Sequence, residues 1–358
     1  MPKIRLPVMR MCDMKMFRFI PAASALALGF AVTLAAQPQP RTIFKGRAQL
    51  SDAEIETVSQ GHAVTRVLSS TDKYGVLVAG AVYIDAPIDK FLASFRDVKR
   101  LRENKVYLDV QEFSQEGAPP KPSDFERLAF DKKDLDDLHA CKAGDCDLQV
   151  FDDVGTKSLD WNAPNRYDLA NAAFRLRALE GMTAYLSGGL KALGNYRDRK
   201  NPFNVYQQTK DMVDSSFYLP EDTSKGIYRH VIDYPAGKLP GADDFFYWEK
   251  IDFGQGPTIR VNHVSVFPQG FGAAKAIIAV KQLYASRYIR VALQMFYCVP
   301  DTEHPGKPGF FLIEVNDSRL PDFSGPKLSV VRKIATEKGV DSTKDTLTMF
   351  AKRLNGRP

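Results

Sequence analysis

Five consecutive segments decide the fold of this chain: FFYWEKIDF (245–253), TIRVNHVSVF (258–267), AAKAIIAVKQLYA (273–285), RYIRVALQMFYCV (287–299) and GFFLIEVND (309–317). Each segment is rich in aromatic and β-branched residues and is bounded by Gly, Pro, Ser or Arg, a composition typical of β-strands. No pattern of helix length interrupts the series, so consecutive strands are expected to pair as an antiparallel meander. The region from Asp244 to Val315 is therefore predicted to form one sheet that must bury at least one face.

The C-terminal segment from Lys327 to Leu354 is the predicted cover for that sheet. Gly325-Pro326 is predicted to begin a helix that Gly339 breaks, and Ser342 with Asp345 matches a capping box for a final helix. Apolar residues spaced at i, i+3, i+4 and i+7 define the face expected to lie across the sheet, namely Leu347, Phe350, Ala351 and Leu354.

The chain before residue 114 contributes further elements. VTRVLSS (64–70), the turn TDKYG (71–75) and VLVAGAVYID (76–85) predict a hairpin or one long bent strand. PIDKFLASFRDVKRL (87–101) predicts an amphipathic helix with proline in its first turn. The segment 105–113 is predicted to return as a strand.

The strand end Asp85-Ala86-Pro87, followed directly by an amphipathic helix, resembles the opening of proteins of the START-like (SRPBCC, helix-grip) superfamily. The later strands and the C-terminal helix match the rest of that plan, so the resemblance covers residues 64–113 and 244–354 in outline. It implies an α+β fold, in which an antiparallel sheet wraps around a C-terminal helix and leaves a cavity for a hydrophobic small molecule or lipid. Residues 61–358 are assigned to this domain, after a leader at 37–60.

A helical insert at about 164–235 departs from a minimal helix-grip domain. Between Pro164 and Tyr196, apolar residues spaced by three and four predict a helix of about 30 residues with one buried face, bent at Gly188-Gly189. That face comprises Leu169, Ala172, Leu176, Leu179, Met182, Leu186, Leu190 and Leu193. The insert is expected to be either a lid on the sheet or a small subdomain.

The N-terminal 36 residues resemble an export signal. A basic region precedes the apolar run from Phe19 to Ala36, and QPQP then ends any helix. Cleavage near Ala35 or Ala36 would give a periplasmic or secreted protein, whereas an uncleaved segment would be a membrane anchor. Removing residues 1–36, which hold five basic residues and one acidic residue, lowers the formal charge from +6 to +2. A nearly neutral chain gives no electrostatic reason to expect nucleic-acid binding.

Three cysteines remain after such cleavage. Cys141 and Cys146 in CKAGDC bracket a short loop with Gly144, which predicts a disulfide in an oxidising compartment. Cys298 lies within a predicted strand and is expected to be a buried apolar side chain.

No recognised catalytic, metal or cofactor motif accompanies these elements. The five histidines form no metal-binding pair, and the chain has no nucleophile elbow, phosphate-binding loop or dinucleotide fingerprint. We therefore assign no catalytic residue, metal or cofactor from the sequence.

Polar and aromatic residues inside the strand series are the candidates for ligand binding. Their two interpretations are a solvent-facing side of the sheet and a cavity lining that orients a ligand's polar group. The candidates are Trp248, His263, Gln282, Tyr284, Tyr288 and Gln294.

Three functions are open at this point. The first is an exported carrier or binding protein for a hydrophobic small molecule or lipid, with peripheral membrane contact left open and no oligomeric state predicted. The second is a cyclase- or hydrolase-type enzyme in the same cavity, using His263, Tyr284 or Glu249. The third is an envelope structural or interaction protein, which exposed leucines on the long helix of the insert would favour.

Overall fold

An eight-stranded antiparallel sheet forms the centre of the structure, which is a computed structural model. Two further short strands pair with each other outside that sheet. In chain order the strands are β1 (Val64–Leu68), β2 (Gly75–Ile84), β3 (Tyr107–Glu112), β4 (Asn195–Tyr196), β5 (Phe203–Asn204), β6 (Asp243–Ile251), β7 (Thr258–Phe267), β8 (Ala276–Ala285), β9 (Val291–Pro300) and β10 (Phe310–Arg319).

The structure describes residues 44–114, 119–142, 144–150, 159–222, 224–252, 254–302 and 308–356. The predicted export signal, residues 1–36, lies outside these ranges. The α-helices within them are α1 (Asp52–Ser59), α2 (Ile88–Arg96), α3 (Lys132–Ala140), α4 (Arg166–Gly188), α5 (Val205–Asp214), α6 (Lys225–Asp233) and α7 (Gly325–Asn355). None of these helices combines the length and the hydropathy that a bilayer span requires.

The strand order is β1-β2-β10-β9-β8-β7-β6-β3. The meander from β6 to β10 returns the chain beside β2, while the strand that follows α2 lies at the opposite edge. The long helix α7 then packs on β1, β2 and β10. This topology confirms the predicted α+β helix-grip fold.

Two glycines allow α7 to approach β2 closely. A Cβ atom at Gly80 would lie 2.7 Å from Leu347 Cδ1, and one at Gly339 would lie 3.3 Å from Val78 Cγ2. The predicted break at Gly339 is therefore wrong, because α7 is continuous for 31 residues. Gly339 provides space for the strand beside it, although glycine is a weak helix former.

Aromatic side chains fill the space between α7, α2 and the sheet. The Phe350 ring lies 4.9 Å from that of Phe91 and 5.7 Å from that of Phe95, measured between centroids. Leu347, Phe350 and Ala351 are buried as predicted, and Leu354 packs at the edge of the same cluster. Cys298 is fully buried in this cluster, which confirms its predicted role as an apolar side chain.

The chain between β3 and β6 packs on the other face of the sheet. There α4, α5 and α6 cover apolar side chains of β6 to β10. The predicted single buried stripe of α4 is only partly correct, because Met182 is buried whereas Leu169 and Leu176 are 38% and 55% exposed. The first half of α4 instead turns Ala170 and Ala173 toward the protein. The predicted bend at Gly188-Gly189 is an end, because the α-helix stops at Gly188 after 23 residues and a short 3-10 turn follows.

We predict that Phe350→Ala lowers the free energy of unfolding by about 3 to 5 kcal/mol, because it removes a buried ring that contacts two others. Val330→Ala on the same helix is the matched control, since Val330 is 57% exposed and should change stability by about 0.5 kcal/mol or less. Urea unfolding followed by circular dichroism measures both. Equal effects of the two substitutions would contradict the predicted packing of α7.

Candidate functional site

A cavity of about 1160 Å³ lies between the sheet and the second half of α7. We call it the grip cavity. Its walls come from strands β3 and β6 to β10, from α2 and the following turn, and from α7. The sheet and α2 supply most of the apolar side chains, whereas α7 supplies mainly polar and charged ones, among them Lys338, Asp341 and Lys352. The apolar side chains include Phe95, Phe245, Tyr247, Val264, Phe296 and Met349. The space exists because α7 packs closely against β2 and neighbouring β1 and β10, and less closely against strands β6 to β9.

Four amide side chains cross the sheet wall of this cavity. Asn262 pairs with Gln282 between β7 and β8, and Gln294 pairs with Asn316 between β9 and β10. Lys281 pairs with Leu293, so Gln282 and Gln294 are diagonal neighbours. All four line the grip cavity, and we call them the amide row. They place hydrogen-bonding groups across an otherwise largely apolar wall.

The amide row is tied to two buried carboxylates. Asn262 Nδ2 donates to Glu249 Oε1 at 3.1 Å, and Gln294 Nε2 donates to Glu314 Oε1 at 2.6 Å. Gln282 Nε2 reaches the carbonyl oxygens of Ile289 and Arg290 at 3.3 and 3.4 Å. Gln282 Oε1 is buried and has no hydrogen-bond partner in the described part of the chain. A buried acceptor of this kind is costly unless a ligand or water satisfies it.

The two buried carboxylates on this side of the sheet, Glu249 and Glu314, are accommodated in different ways. Arg260 forms an ion pair with Glu249, which is fully buried. Burial alone would lower the pKa of Arg260, but the adjacent Glu249 raises it above its usual range. Burial raises the pKa of Glu314 to about 8, with opposing hydrogen bonds from Gln294 and Thr343. Glu314 is therefore mostly protonated and neutral at pH 7.

The structure places the six ligand-binding candidates that the sequence suggested at different locations. Gln282 and Gln294 line the grip cavity. Trp248 and His263 lie on the opposite face, where Trp248 Nε1 donates to the carbonyl oxygen of Asp124 at 2.7 Å. Tyr284 also lies on that face. Tyr288 follows β8 in a turn, with φ of 67°, and its hydroxyl bonds to the carbonyl of Gln255.

A β-bulge explains why Tyr284 does not share a face with Gln282. Val261 pairs with Tyr284 and Asn262 with Gln282, so Leu283 is an extra residue in β8. Asn262 and Asn316 are cavity residues that were absent from the sequence candidates. Strict alternation in β7 could have found Asn262, because it puts that residue opposite His263.

A second polar cluster lies under the insert on the opposite face. We call Tyr185, His230, Asp244, His263 and Ser265 the histidine cluster. Asp244 Oδ1 lies 2.8 Å from His230 Nε2, 3.0 Å from His263 Nε2 and 2.8 Å from Ser265 Oγ. Tyr185 of α4 completes it, with its hydroxyl 2.7 Å from His263 Nδ1. The cluster thus joins α4 and α6 to β6 and β7.

Burial controls ionisation in the histidine cluster. Burial lowers the pKa of His263 to about 3, despite the favourable hydrogen bond to Asp244. Burial would raise the pKa of Asp244, but hydrogen bonds from His230 and His263 hold it well below its usual range. Burial also lowers the pKa of nearby Lys281 to about 7. Asp244 is thus a carboxylate beside a neutral His263 at neutral pH.

The two histidines and Asp244 offer ligand atoms within 4.8 Å of one another, which could suit a metal ion. The hydrogen bonds favour a structural role instead. The backbone N–H of Leu239 donates to His230 Nδ1 at 2.9 Å, so the neutral ring carries its proton on Nε2. That nitrogen then donates to Asp244 and has no lone pair for a metal. We conclude that the cluster anchors the insert to the sheet.

The predicted disulfide lies in the chain between β3 and β6, which packs on the same face of the sheet as the histidine cluster. Cys141 and Cys146 are bonded, with their Cα atoms 4.8 Å apart. The bond closes the loop after α3, whose backbone pairs with the segment around Asp198.

Comparisons with known proteins give distant matches to solved structures. A START superfamily protein from Mycobacterium smegmatis is 14% identical, with 34% of this chain and 70% of that chain covered and a TM-score of 0.22. The Zhui aromatase/cyclase from Streptomyces sp. R1128 is 10% identical, with 41% and 81% covered and a TM-score of 0.23. No family model matches the chain, and no curated protein matches it. The fold assignment rests on the strand order and on the packing of α7.

We predict that His263 contributes to loss of stability in acid. Its pKa is about 3 in the folded protein and 6.5 as the ordinary value, so unfolding takes up a proton between these limits. The free energy of unfolding therefore falls as pH falls from 6.5 to 3, by at most about 1.4 kcal/mol per pH unit from this one group.

Urea unfolding at several pH values in that window tests this contribution. His263→Gln should show a shallower dependence on pH than the unsubstituted protein. His62→Gln, at an exposed position, is the matched control and should keep the original slope. Identical slopes for all three proteins would show that His263 does not titrate as proposed.

Proposed function

We propose that this chain binds an amphipathic small molecule in the grip cavity. The observation that carries the proposal is a cavity of about 1160 Å³ whose sheet wall combines aromatic side chains with a row of four amides, while α7 adds polar and charged side chains on the other side. Binding pockets for small molecules are commonly concave and mostly apolar, with a few placed polar groups. The volume lies slightly above the usual range of about 300 to 1000 Å³ for such pockets, which suits a lipid-sized or polycyclic ligand.

The apolar walls would supply affinity, and the amides would set orientation. Burial of apolar ligand surface contributes about 25 cal/mol per Å², so roughly 300 Å² gives about 7 kcal/mol before the costs of association. Gln282 Oε1 needs a hydrogen-bond donor. A ligand hydroxyl beside the amide row would meet that need, so the preferred ligand carries a hydroxyl or amide group on an apolar body.

Two of the three residues proposed for the enzymatic alternative do not line the grip cavity. His263 and Tyr284 lie on the opposite face of the sheet from the grip cavity. Glu249 is on the cavity side, but Arg260 and Asn262 already engage its Oε1 atom. We therefore rank binding above catalysis in this cavity.

The interaction-protein alternative has one observation in its favour. Leu169 and Leu176 are exposed one heptad apart on α4. Single exposed leucines are normal on protein surfaces, so this pair alone does not define an interface.

Export to the periplasm or the medium is part of the proposal, because residues 1–36 have the composition of a signal peptide. N-terminal sequencing of the mature protein tests it. A mature chain that begins near Gln37 would support export, and a full-length chain in the membrane fraction would support the anchored alternative.

We predict that Ala292→Trp obstructs the grip cavity at the amide row, because Ala292 lies in its wall two residues before Gln294 on β9. Delipidated protein is titrated with oleate, lysophosphatidylcholine and cholesterol sulfate, and the melting temperature is followed. At a concentration of 100 Kd, a bound probe stabilises the fold by about 2.7 kcal/mol. Ala292→Trp should abolish the shift.

Ala53→Trp is the control for added aromatic surface, since Ala53 is exposed on α1. It should keep the shift. The proposal fails if no probe shifts the melting temperature and mass spectrometry of the purified protein finds no bound amphiphile. It also fails if Ala292→Trp remains folded and binds as the unsubstituted protein does.

A further inference from the structure

A second, smaller cavity of about 270 Å³ lies on the other face of the sheet, under the insert. We call it the insert cavity. One wall is α4, and the other comes from β7, β8, the end of α3 at Leu138 and the loop around Leu148. It shares no lining residue with the grip cavity, because the two lie on opposite sides of the sheet.

Small residues of α4 create this space. The helix presents five of them to the cavity, namely Ala170, Ala173, Ala178, Gly181 and Ala184. No atom lies within 4 Å of the point where a Cβ of Gly181 would be. Glycine is unfavourable in a helix interior, and here no close packing requires it. The gap beside Gly181 is thus large enough to accept atoms from another molecule.

Aromatic rings from both walls line the cavity, with Phe174 on α4 and Phe130 and Tyr284 opposite it. The ring centroids of Phe130 and Phe174 are 4.3 Å apart, and those of Phe174 and Tyr284 are 6.1 Å apart. Such rings pack well against another aromatic ring in offset or edge-to-face geometry. The cavity wall therefore favours a flat aromatic occupant.

The polar groups at the wall are already engaged within the protein. Tyr284 donates its hydroxyl proton to the carbonyl oxygen of Gln149 at 3.1 Å. The Gln149 side chain in turn donates to the carbonyl oxygen of Ile289 at 2.8 Å. An occupant therefore needs no hydrogen-bonding group. At the rim, Arg177 and Glu180 form an ion pair at 2.9 Å, so they present little net charge to an anionic headgroup.

We propose that the insert cavity is a second ligand site, for an uncharged aromatic molecule of one or two fused rings. A dry apolar cavity of about 150 Å³ in another protein is known to hold benzene, so the present volume suffices for a somewhat larger ring system. The site does not depend on the proposed function of the grip cavity.

Naphthalene is the probe for this site, with decanoate as the charged apolar comparison. Binding is followed by chemical-shift changes of the labelled Met182 methyl group, which lies in the cavity wall. Ala173→Leu fills the cavity, and Ala172→Leu adds the same side chain at the next, exposed position of α4. Gly181→Leu is a second filling variant, and Ala292→Trp closes the grip cavity only.

We expect naphthalene to bind the unsubstituted protein, Ala172→Leu and Ala292→Trp alike, and decanoate to leave the Met182 signal unchanged. Ala173→Leu and Gly181→Leu should weaken naphthalene binding by about tenfold or more. The proposal is overturned if naphthalene does not move the Met182 signal of the unsubstituted protein. It is also overturned if a folded filling variant binds as well as Ala172→Leu, or if decanoate binds as tightly as naphthalene.

Discussion

The close contact between α7 and β2 is the constraint on which the rest of the structure depends. Gly80 leaves room for the Leu347 side chain and Gly339 for the Val78 side chain, so a 31-residue helix can lie close to the strand. Phe350 then reaches Phe91 and Phe95, which links α7 to α2 and to the sheet. Because the helix is held at this end of the sheet, the strands beyond β10 are left with a space above them. The grip cavity is therefore a consequence of where the helix is anchored.

Both faces of the sheet are buried, because the helices of the insert cover the face that α7 does not. A helix-grip sheet needs cover from α7 on one side only, yet the strands here carry apolar residues on both sides, as in β8 with Ile277 and Ile278. The helices between β3 and β6 cover the second face, and the histidine cluster fixes them there through Asp244. Three hydrogen bonds from buried side chains reach its Oδ1 atom, and Lys238 forms an ion pair with its Oδ2 atom at 3.1 Å, which lowers the cost of burying the charge. The hydrogen bonds of the histidine cluster thus fix the position of the insert helices on the sheet, whereas apolar burial alone would be less specific.

Much of this fold could be predicted from residue patterns, but the sites could be predicted only in part. The strands from β6 to β10 were visible because each is a long run of aromatic and β-branched residues. The prediction of a helix break at Gly339 was wrong because a glycine in the sequence is compatible both with a helix break and with a close helix–strand contact. Tyr284 was grouped with Gln282 because alternation cannot reveal the bulge at Leu283. The histidine cluster joins residues from α4 to β7 and has no local motif.

Asn262 and His263 show how one strand serves both sides of the sheet. They are adjacent in sequence, yet Asn262 belongs to the amide row and His263 to the cluster that anchors the insert. A slip of one residue in the pairing of β7 would exchange them, because side chains alternate between faces with a period of two. It would turn His263 toward the grip cavity and leave Asp244 without one of its two histidine partners. The pairing of Asn262 with Gln282, next to the bulge, therefore specifies the ligand-facing surface and the attachment of the insert together.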